Sequence, residues 1–364
     1  MSSALSGKTV LLAAGGTGGH LQPALAVAAE AKARGARVVV VTTPSQVERV
    51  AAEYQTFALE LKGFSRKLAP RDHLTTLRLL AAAVPGVGRI LKEVRPDVAI
   101  GGGGFASGPV VALAALRGIR GLALEADAHL GVANRLLRPF VRRVCLSFPI
   151  AGLEPPRYVL TGRPLGPAQL AATPDEGREA FALRADLPVV LAFGGSQGAQ
   201  SINRACIEAF GGRELDFQLV HVCGPRNHDA VRAALEAMGE RFERYRLVPY
   251  TDRLAAAMAA ADLVVARSGG SVAELAALGK PAILVPYPYA TADHQRKNAR
   301  WMVDGGAALL VDDAELGGDL LRRLVADLLG DPGRLAAMAV ASAALGRPDA
   351  TSRVVDEIER IVKR

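Results

Sequence analysis

The chain has 364 residues, more than one hydrophobic core usually supports, and half of them are hydrophobic, which points to two domains. Mean hydropathy is +0.20 with only 5% aromatics, so Ala, Val, Leu and Gly carry the apolar mass, as parallel sheets buried on both faces require. A net charge of +8 points to an anionic partner (nucleotide, lipid surface or nucleic acid), while the apolar windows, broken by Arg78, Pro85, Arg89, Arg117, Arg120 or Asp262, exclude a membrane span.

The opening run MSSALSGKTVLLAAGG has no basic n-region and is not expected to be a secretory signal. Short apolar runs then alternate with amphipathic stretches, the pattern of βα units. Strands are predicted at 8–14, 36–42, 97–101, 121–125, 143–147 and 158–162, then in a second series at 188–195, 217–224, 245–250, 262–269, 281–288 and 307–311. Each series opens with strand, glycine-rich turn and helix: GGTGGH at 15–20 and GGSQGA at 194–199. The chain therefore reads as α/β, two doubly wound domains at 1–162 and 163–345 joined near TGRPLGP, with a C-terminal helix in 346–364 packing back on the first. Thr173-Pro174-Asp175-Glu176 combines an N-cap, a first-turn proline and a capping-box acid, so a helix is expected before the second domain's first strand. Cys145, Cys206 and Cys223 are far apart and form no CxxC; they read as small core hydrophobes in a reducing compartment.

A glycine-rich turn from strand into helix brings backbone N–H groups and the positive helix end close to an anion. Neither turn has the lysine of GxxxxGK[ST], and the second strand ends Val41-Thr42-Thr43 with no acid for a ribose, which disfavours an ATP-hydrolysing P-loop and a dinucleotide site. Tight turns and close packing alone would also use these glycines. A third turn, RSGGSVAELAALGKP from Arg267, has two readings. Ser271-Val272-Ala273-Glu274 has the form of a capping box; alternatively the 269–272 amides meet a phosphate while Glu274 accepts two ribose hydroxyls. In YPYATADHQRKNAR, His294, Gln295 and Asn298 open a helix, and Gln295 and Asn298 share a face suited to a ligand with several hydroxyls. These features fall at the carboxyl edge of predicted strands, where open α/β sheets bind ligands, and together they describe a nucleotide-sugar site.

Five motifs in register, GGTGGHLQPALAVA, GGGGFASGP, GGSQGAQSIN, RSGGSVAELAALGKPAILVPYP and DHQRKNA, resemble the MurG family over nearly the whole chain. The resemblance implies a GT-B fold, two Rossmann-like domains with an interdomain cleft. It also implies an inverting hexosyltransferase that moves GlcNAc from UDP-GlcNAc to the C4 hydroxyl of MurNAc in undecaprenyl-pyrophosphoryl-MurNAc-pentapeptide (lipid I), giving lipid II for the cell wall. By position, Ser196 and Gln197 would lie by the donor diphosphate, and Ser268, Gly269, Gly270, Ser271 and Val272 would form the other wall. Glu274 would hold the ribose, His294 and Gln295 would read GlcNAc, and the backbone at Tyr250 and Thr251 would hold the uracil. Gly15, Gly16, Thr17, Gly18 and Gly19, with Gly103, Gly104 and Phe105, would cradle the acceptor diphosphate, with Asp127 and Arg163 as further acceptor contacts. The chain departs from the pattern at the linker, where Gly162-Arg163-Pro164-Leu165-Gly166 replaces GNPVR: Arg163 stands for the asparagine and the linker arginine is absent. Leu124-Glu125-Ala126-Asp127 likewise replaces HEQN, and Phe105 a tyrosine.

His20 is the candidate base, because a helix N-terminus favours the neutral imidazole that can take the acceptor's hydroxyl proton. Capping the helix or binding the acceptor phosphate is the plainer role, and Asp127 is the alternative base. No DxD pair stands at a strand end, so oriented amides are expected to stabilise the leaving UDP without an obligatory cofactor or metal, a divalent cation at most assisting. A lipid acceptor implies a peripheral enzyme on the cytoplasmic face of the inner membrane. Lys62, Arg66, Lys67, Arg71 and Arg78 beside Phe64, Leu74, Leu77 and Leu80, together with LLRPFVRR at 136–143, suit an anionic leaflet, although an amphipathic helix covering the sheet would look the same. The rival readings are a GT-B transferase with a diacylglycerol-type acceptor and a non-catalytic nucleotide-sugar-binding protein. A nucleic-acid partner is not expected, since basic and aromatic residues do not interleave.

Overall fold

The structure is a computed structural model that describes residues 3–15, 18–59, 72–104, 107–195, 198–239 and 242–363, with the backbone alone for 18 and 72–82. Two compact units are formed, one by Met1–Gly166 with Pro348–Arg364, the other by Pro167–Arg347. The division falls inside the glycine- and proline-rich TGRPLGP segment and just before the last helix.

In the first unit β1 (Thr9–Ala13), β2 (Arg37–Thr42), β3 (Gln55–Ala58), β4 (Val98–Gly101), β5 (Arg120–Glu125), β6 (Arg143–Leu146) and β7 (Tyr158–Leu160) form one sheet in the order β3-β2-β1-β4-β5-β6-β7. All pairings are parallel, and both faces of the central strands are buried. Successive residues therefore serve opposite layers: Val10, Leu12, Val38 and Val40 pack into one core, Leu11, Ala13, Val39 and Val41 into the other. The first layer includes Val354, Val355, Ile358 and Ile361 of the last helix, Ala350–Lys363, so the tail is part of this unit's core. Arg34 fixes that docking by donating to Asp356 at 2.6 Å and to the Ser352 hydroxyl at 2.6 Å.

The second unit repeats the plan with β8 (Val189–Phe193), β9 (Gln218–Val222), β10 (Tyr245–Val248), β11 (Leu263–Ala266), β12 (Ala282–Leu284) and β13 (Ala308–Leu310), ordered β10-β9-β8-β11-β12-β13. Thr173 caps the preceding helix, Pro174–Ala180, in a full capping box with Glu176. In each sheet the order reverses at one point, between β1 and β4 and between β8 and β11, and ligands of open α/β sheets bind outside the carboxyl ends there.

Two expectations need correction. β3 adds to the predicted strands, because QTFA is a short, half-exposed edge strand with no apolar run to mark it. Several predicted strands also run too long at their carboxyl ends: β8 stops at Phe193, since Gly195 turns the chain with φ +87. The expected basic and apolar residues Lys62, Phe64, Arg66, Lys67 and Arg71 lie outside the described residues, as do the side chains of Leu74, Leu77, Arg78 and Leu80. Cys145, Cys206 and Cys223 are buried free thiols.

Candidate active site

The reversal point of the first unit is built from two glycine turns pressed together. β1 ends at Ala13 and the chain re-enters a helix, Gly18–Ala33, whose first turn carries His20. β4 ends beside it at Gly101, and Gly102, Gly103 and Gly104 follow. A Cβ at Gly102 would stand 2.7 Å from that of Ala24, a Cβ at Gly103 would overlap the His20 ring, and one at Gly104 would overlap the Gly15 carbonyl. Gly103 and Gly104 also have positive φ, +92 and +75. The repeated glycine thus follows from the close approach of two backbones and one imidazole.

The turn after β5 brings a third segment to the same edge. Glu125 ends the strand 5% exposed, and burial pushes its carboxyl pKa up. Its oxygens accept from the Gly131 amide at 2.8 Å, the Asn134 side chain at 2.9 Å and the Asp127 amide at 3.3 Å, which holds the 126–131 loop in shape. Arg163, 6% exposed, joins this loop to the His20 turn by donating to the Ala126 carbonyl at 3.2 Å and to the Gly19 carbonyl at 2.6 Å. Gly16, Thr17 and Phe105 lie outside the described residues.

In the second unit the turns after β8 and β11 leave the carboxyl ends of two directly paired strands. Ser196 and Gln197 lie outside the described residues, but the helix that follows them, Gln200–Phe210, is tied down on two sides. Asn203 donates to the Cys223 carbonyl at 2.9 Å and faces His221 at 3.0 Å, which in turn meets the Tyr245 hydroxyl at 2.8 Å. Ser201 donates to Asp313 at 2.5 Å and accepts from Arg267 at 2.9 Å. Arg267 also donates to the Val285 and Pro286 carbonyls, both at 3.1 Å, and lies over the Tyr287 ring. One buried guanidinium therefore braces the helix after the GGSQGA turn, the RSGG turn and the segment after β12.

The RSGG turn corrects the capping-box reading. Gly270, already helical at φ −61 and ψ −24, is the N-cap of Ser271–Ala277 and has no side-chain cap. Ser271 is the first helical residue, its hydroxyl donating to the Arg267 carbonyl at 3.2 Å, and Glu274 sits in the first turn. The Val272 amide bonds the Gly269 carbonyl at 3.3 Å, so that amide serves the turn itself. Ser268 is wholly buried and its hydroxyl has no partner among the described residues.

Gln295 and Asn298 do not act alike. Gln295 lies beside Gly269, where a Cβ would be 3.9 Å from its amide nitrogen, and accepts from the Tyr287 amide at 2.9 Å. Asn298 is wholly buried and donates to the Ser268 carbonyl at 3.2 Å, so it holds the turn from beneath instead of facing solvent. His294 donates through Nδ1 to the Thr291 carbonyl at 2.8 Å. Tyr250, 62% exposed, and Thr251 stand past the end of β10, on the same carboxyl edge as the other turns. The supporting residues Arg267, Ser201, Asn203 and Glu125 were not singled out from sequence; a lone arginine or glutamate ending an apolar strand run is the signal that marks two of them.

The chain matches two family models, the glycosyltransferase family 28 N-terminal domain over residues 10–146 and the glycosyltransferase family 28 C-terminal domain over residues 189–354. It is 40% identical to the UDP-N-acetylglucosamine--N-acetylmuramyl-(pentapeptide) pyrophosphoryl-undecaprenol N-acetylglucosamine transferase of Desulforudis audaxviator, over 97% of this chain and 98% of the relative. The protein of the same description from Halothermothrix orenii is 37% identical over 96% and 98%. Among solved structures, Acinetobacter baumannii MurG superposes with a TM-score of 0.76 at 28% identity, over 97% of this chain and 99% of that one.

Proposed function

The chain belongs to glycosyltransferase family 28, among the MurG transferases, and from that premise we infer how its two reversal points divide one reaction. The enzyme has the GT-B fold and transfers N-acetylglucosamine from UDP-N-acetylglucosamine to N-acetylmuramyl-(pentapeptide) pyrophosphoryl-undecaprenol, lipid I, in peptidoglycan synthesis. Sites for two anionic substrates are needed, and each sheet supplies one reversal point lined by two glycine turns. We assign the donor to the second unit: the GGSQGA turn takes the diphosphate, Ser268 to Val272 form its other wall, and Glu274 accepts from the ribose hydroxyls. Gln295, packed by Gly269, and His294 read the sugar, and Tyr250 and Thr251 take the uracil edge. The first unit takes the acceptor diphosphate at Gly15 to Gly19 and Gly102 to Gly104.

The observation that carries the acceptor assignment is His20, which lies against Gly103 at the reversal point with its ring at the meeting of both turns. In this reading the C4 oxygen of MurNAc attacks C1 of GlcNAc with inversion, His20 takes the hydroxyl proton, and UDP leaves on oriented amides. Asp127, on the loop shaped by Glu125, is the second candidate for the base. Transfer of labelled GlcNAc to a short-chain lipid I analogue, with diacylglycerol as competitor and with or without EDTA, tests the whole reading. Label on lipid I alone is expected in both conditions. Label on diacylglycerol, or donor binding without turnover, would overturn it.

Access to a polyprenyl acceptor requires contact with a bilayer. No helix among the described residues is long and apolar enough to cross one. We read the contact as peripheral, at the cytoplasmic leaflet of the plasma membrane, supported by exposed Val132 and Leu136 beside exposed Arg135 and Arg138.

A further inference from the structure

We propose that Arg163 is a positioning residue: its guanidinium replaces a hydrogen bond that Pro23 removes from the His20 helix, and so fixes the turn carrying His20 to the loop carrying Asp127. The inference rests on the reading of these two residues as the proton-handling groups.

Helix Gly18–Ala33 contains a proline within its second turn, at Pro23. In an α-helix the amide of residue 23 would donate to the carbonyl of residue 19. A proline nitrogen carries no hydrogen, and its ring crowds that same carbonyl and tilts it away from the helix axis. The carbonyl left without its helical donor is that of Gly19, one residue before His20. It is the one that Arg163 reaches, at 2.6 Å, the distance of a strong charge-assisted bond. The other terminal nitrogen of the same guanidinium donates to the Ala126 carbonyl at 3.2 Å, one residue before Asp127. Arg163 is 6% exposed; its bond to Ala126 is buried and its bond to the carbonyl of the exposed Gly19 is partly buried, so the guanidinium itself is held largely out of water, where its donors need partners.

The local sequence supports the same logic. Gly18 and Gly19 have no side chains with which to stiffen the turn, and glycines lose much conformational freedom when fixed. The proline prevents the helix from holding that turn by its own ladder. A rigid donor from another segment therefore sets where the His20 backbone lies, while the closeness of the His20 ring to Gly103 leaves little room for error. A planar fork can bridge two carbonyls at fixed spacing; a lysine offers only a point charge.

The proposal makes the effect of Arg163 depend on Pro23, which a double-mutant cycle reads directly. Arg163→Met in the full-length enzyme is expected to lower kcat about tenfold to a hundredfold, as misplacing a reacting group does, with UDP affinity unchanged and a lower melting temperature. Pro23→Ala alone is expected to be well tolerated, since a carbonyl accepts two bonds. In the Arg163→Met background Pro23→Ala returns a helical donor to Gly19 and is expected to recover most of the lost melting temperature and at least threefold to tenfold in kcat. Additive losses in both readouts would overturn the proposal, as would a rise in acceptor KM with kcat intact, which marks a phosphate ligand. Should Arg163→Met fail to fold, the same cycle is run with Arg163→Lys and Arg163→Gln, with the same expected recovery. If His20→Asn and Asp127→Asn both keep full activity, the reading of those groups fails, yet coupling between positions 23 and 163 in melting temperature still decides whether the brace exists.

Discussion

Gly103 shows how a single missing side chain shapes the candidate acceptor site. Its φ of +92 disfavours any L-residue, and a Cβ would enter the His20 ring. Gly103→Ala is therefore expected to push the imidazole aside and lower kcat about a hundredfold, the scale of an ångström of misplacement, while UDP binding, which we assign to the second unit, stays intact. Gly108→Ala is the control, because no atom of the described residues lies within 4 Å of that glycine's Cβ position and its φ is ordinary. Equal turnover in the two variants would show that the ring is not where the reaction needs it. In the string GGGGF nothing marks which glycine faces a histidine 83 positions earlier; that depends on β4 pairing directly with β1. Asn298 departs from its expected role for a similar reason. Polar residues at i and i+3 share a helix face, but only packing against β11's turn decides that Asn298 is inside and Gln295 half outside.

At the scale of elements, the hydrophobic runs of the central strands were legible because burial on both faces leaves almost no polar residue in them. Strand order was legible only as far as βα alternation implies parallel pairing. The edge strand β3 and the true strand ends were not, since their sequence is set by exposure and by the turns that follow. Hidden polar networks were also illegible, and one of them has a pH signature. Asn203 gives its amide hydrogen to the Cys223 carbonyl, so its oxygen faces His221 Nε2, which must be the protonated nitrogen; Nδ1 then accepts from Tyr245. This joins the helix after the GGSQGA turn to β9 and to β10, and burial lowers the imidazole pKa from 6.5 to about 3. Between those values the unfolded chain binds a proton that the native state refuses. The second unit should thus lose stability as pH falls below 6.5, by up to about 1.4 kcal/mol per unit, until the folded pKa near 3 is reached. Denaturant melts at several pH values, compared with His221→Gln, check this: the variant should start less stable and show a shallower slope. An unchanged slope would mean that the ring is charged in the fold. Glu125 in the first unit works in the opposite sense, because its raised pKa favours the protonated fold at low pH and the benefit is lost as pH rises through it.

For the molecule as a whole, the excess of 44 lysines and arginines over 36 acids gives the +8 charge, and its use depends on where apolar groups join it. Val132, 54% exposed, and Leu136, 61% exposed, lie on the short helix Val132–Leu137, with Arg135, Arg138 and Arg142 also exposed nearby in sequence. Two leucine-sized groups contribute about 1.5–3 kcal/mol each when fully buried, too little for stable anchoring, so charge must contribute the rest. Each arginine near an anionic leaflet adds about 1 kcal/mol, and that attraction fades beyond a Debye length of about 10 Å at 0.1 M salt. The protein should consequently pellet with vesicles containing anionic lipid, weaken steeply between low and high salt, and ignore neutral vesicles. Leu136→Glu, at a solvent-facing position, should reduce pelleting and activity on vesicle-borne acceptor while leaving turnover of a water-soluble acceptor analogue unchanged. Salt-independent pelleting, or a loss of activity on both acceptors, would show that this face does not meet the membrane, because a peripheral contact of this kind needs both its charge and its apolar groups.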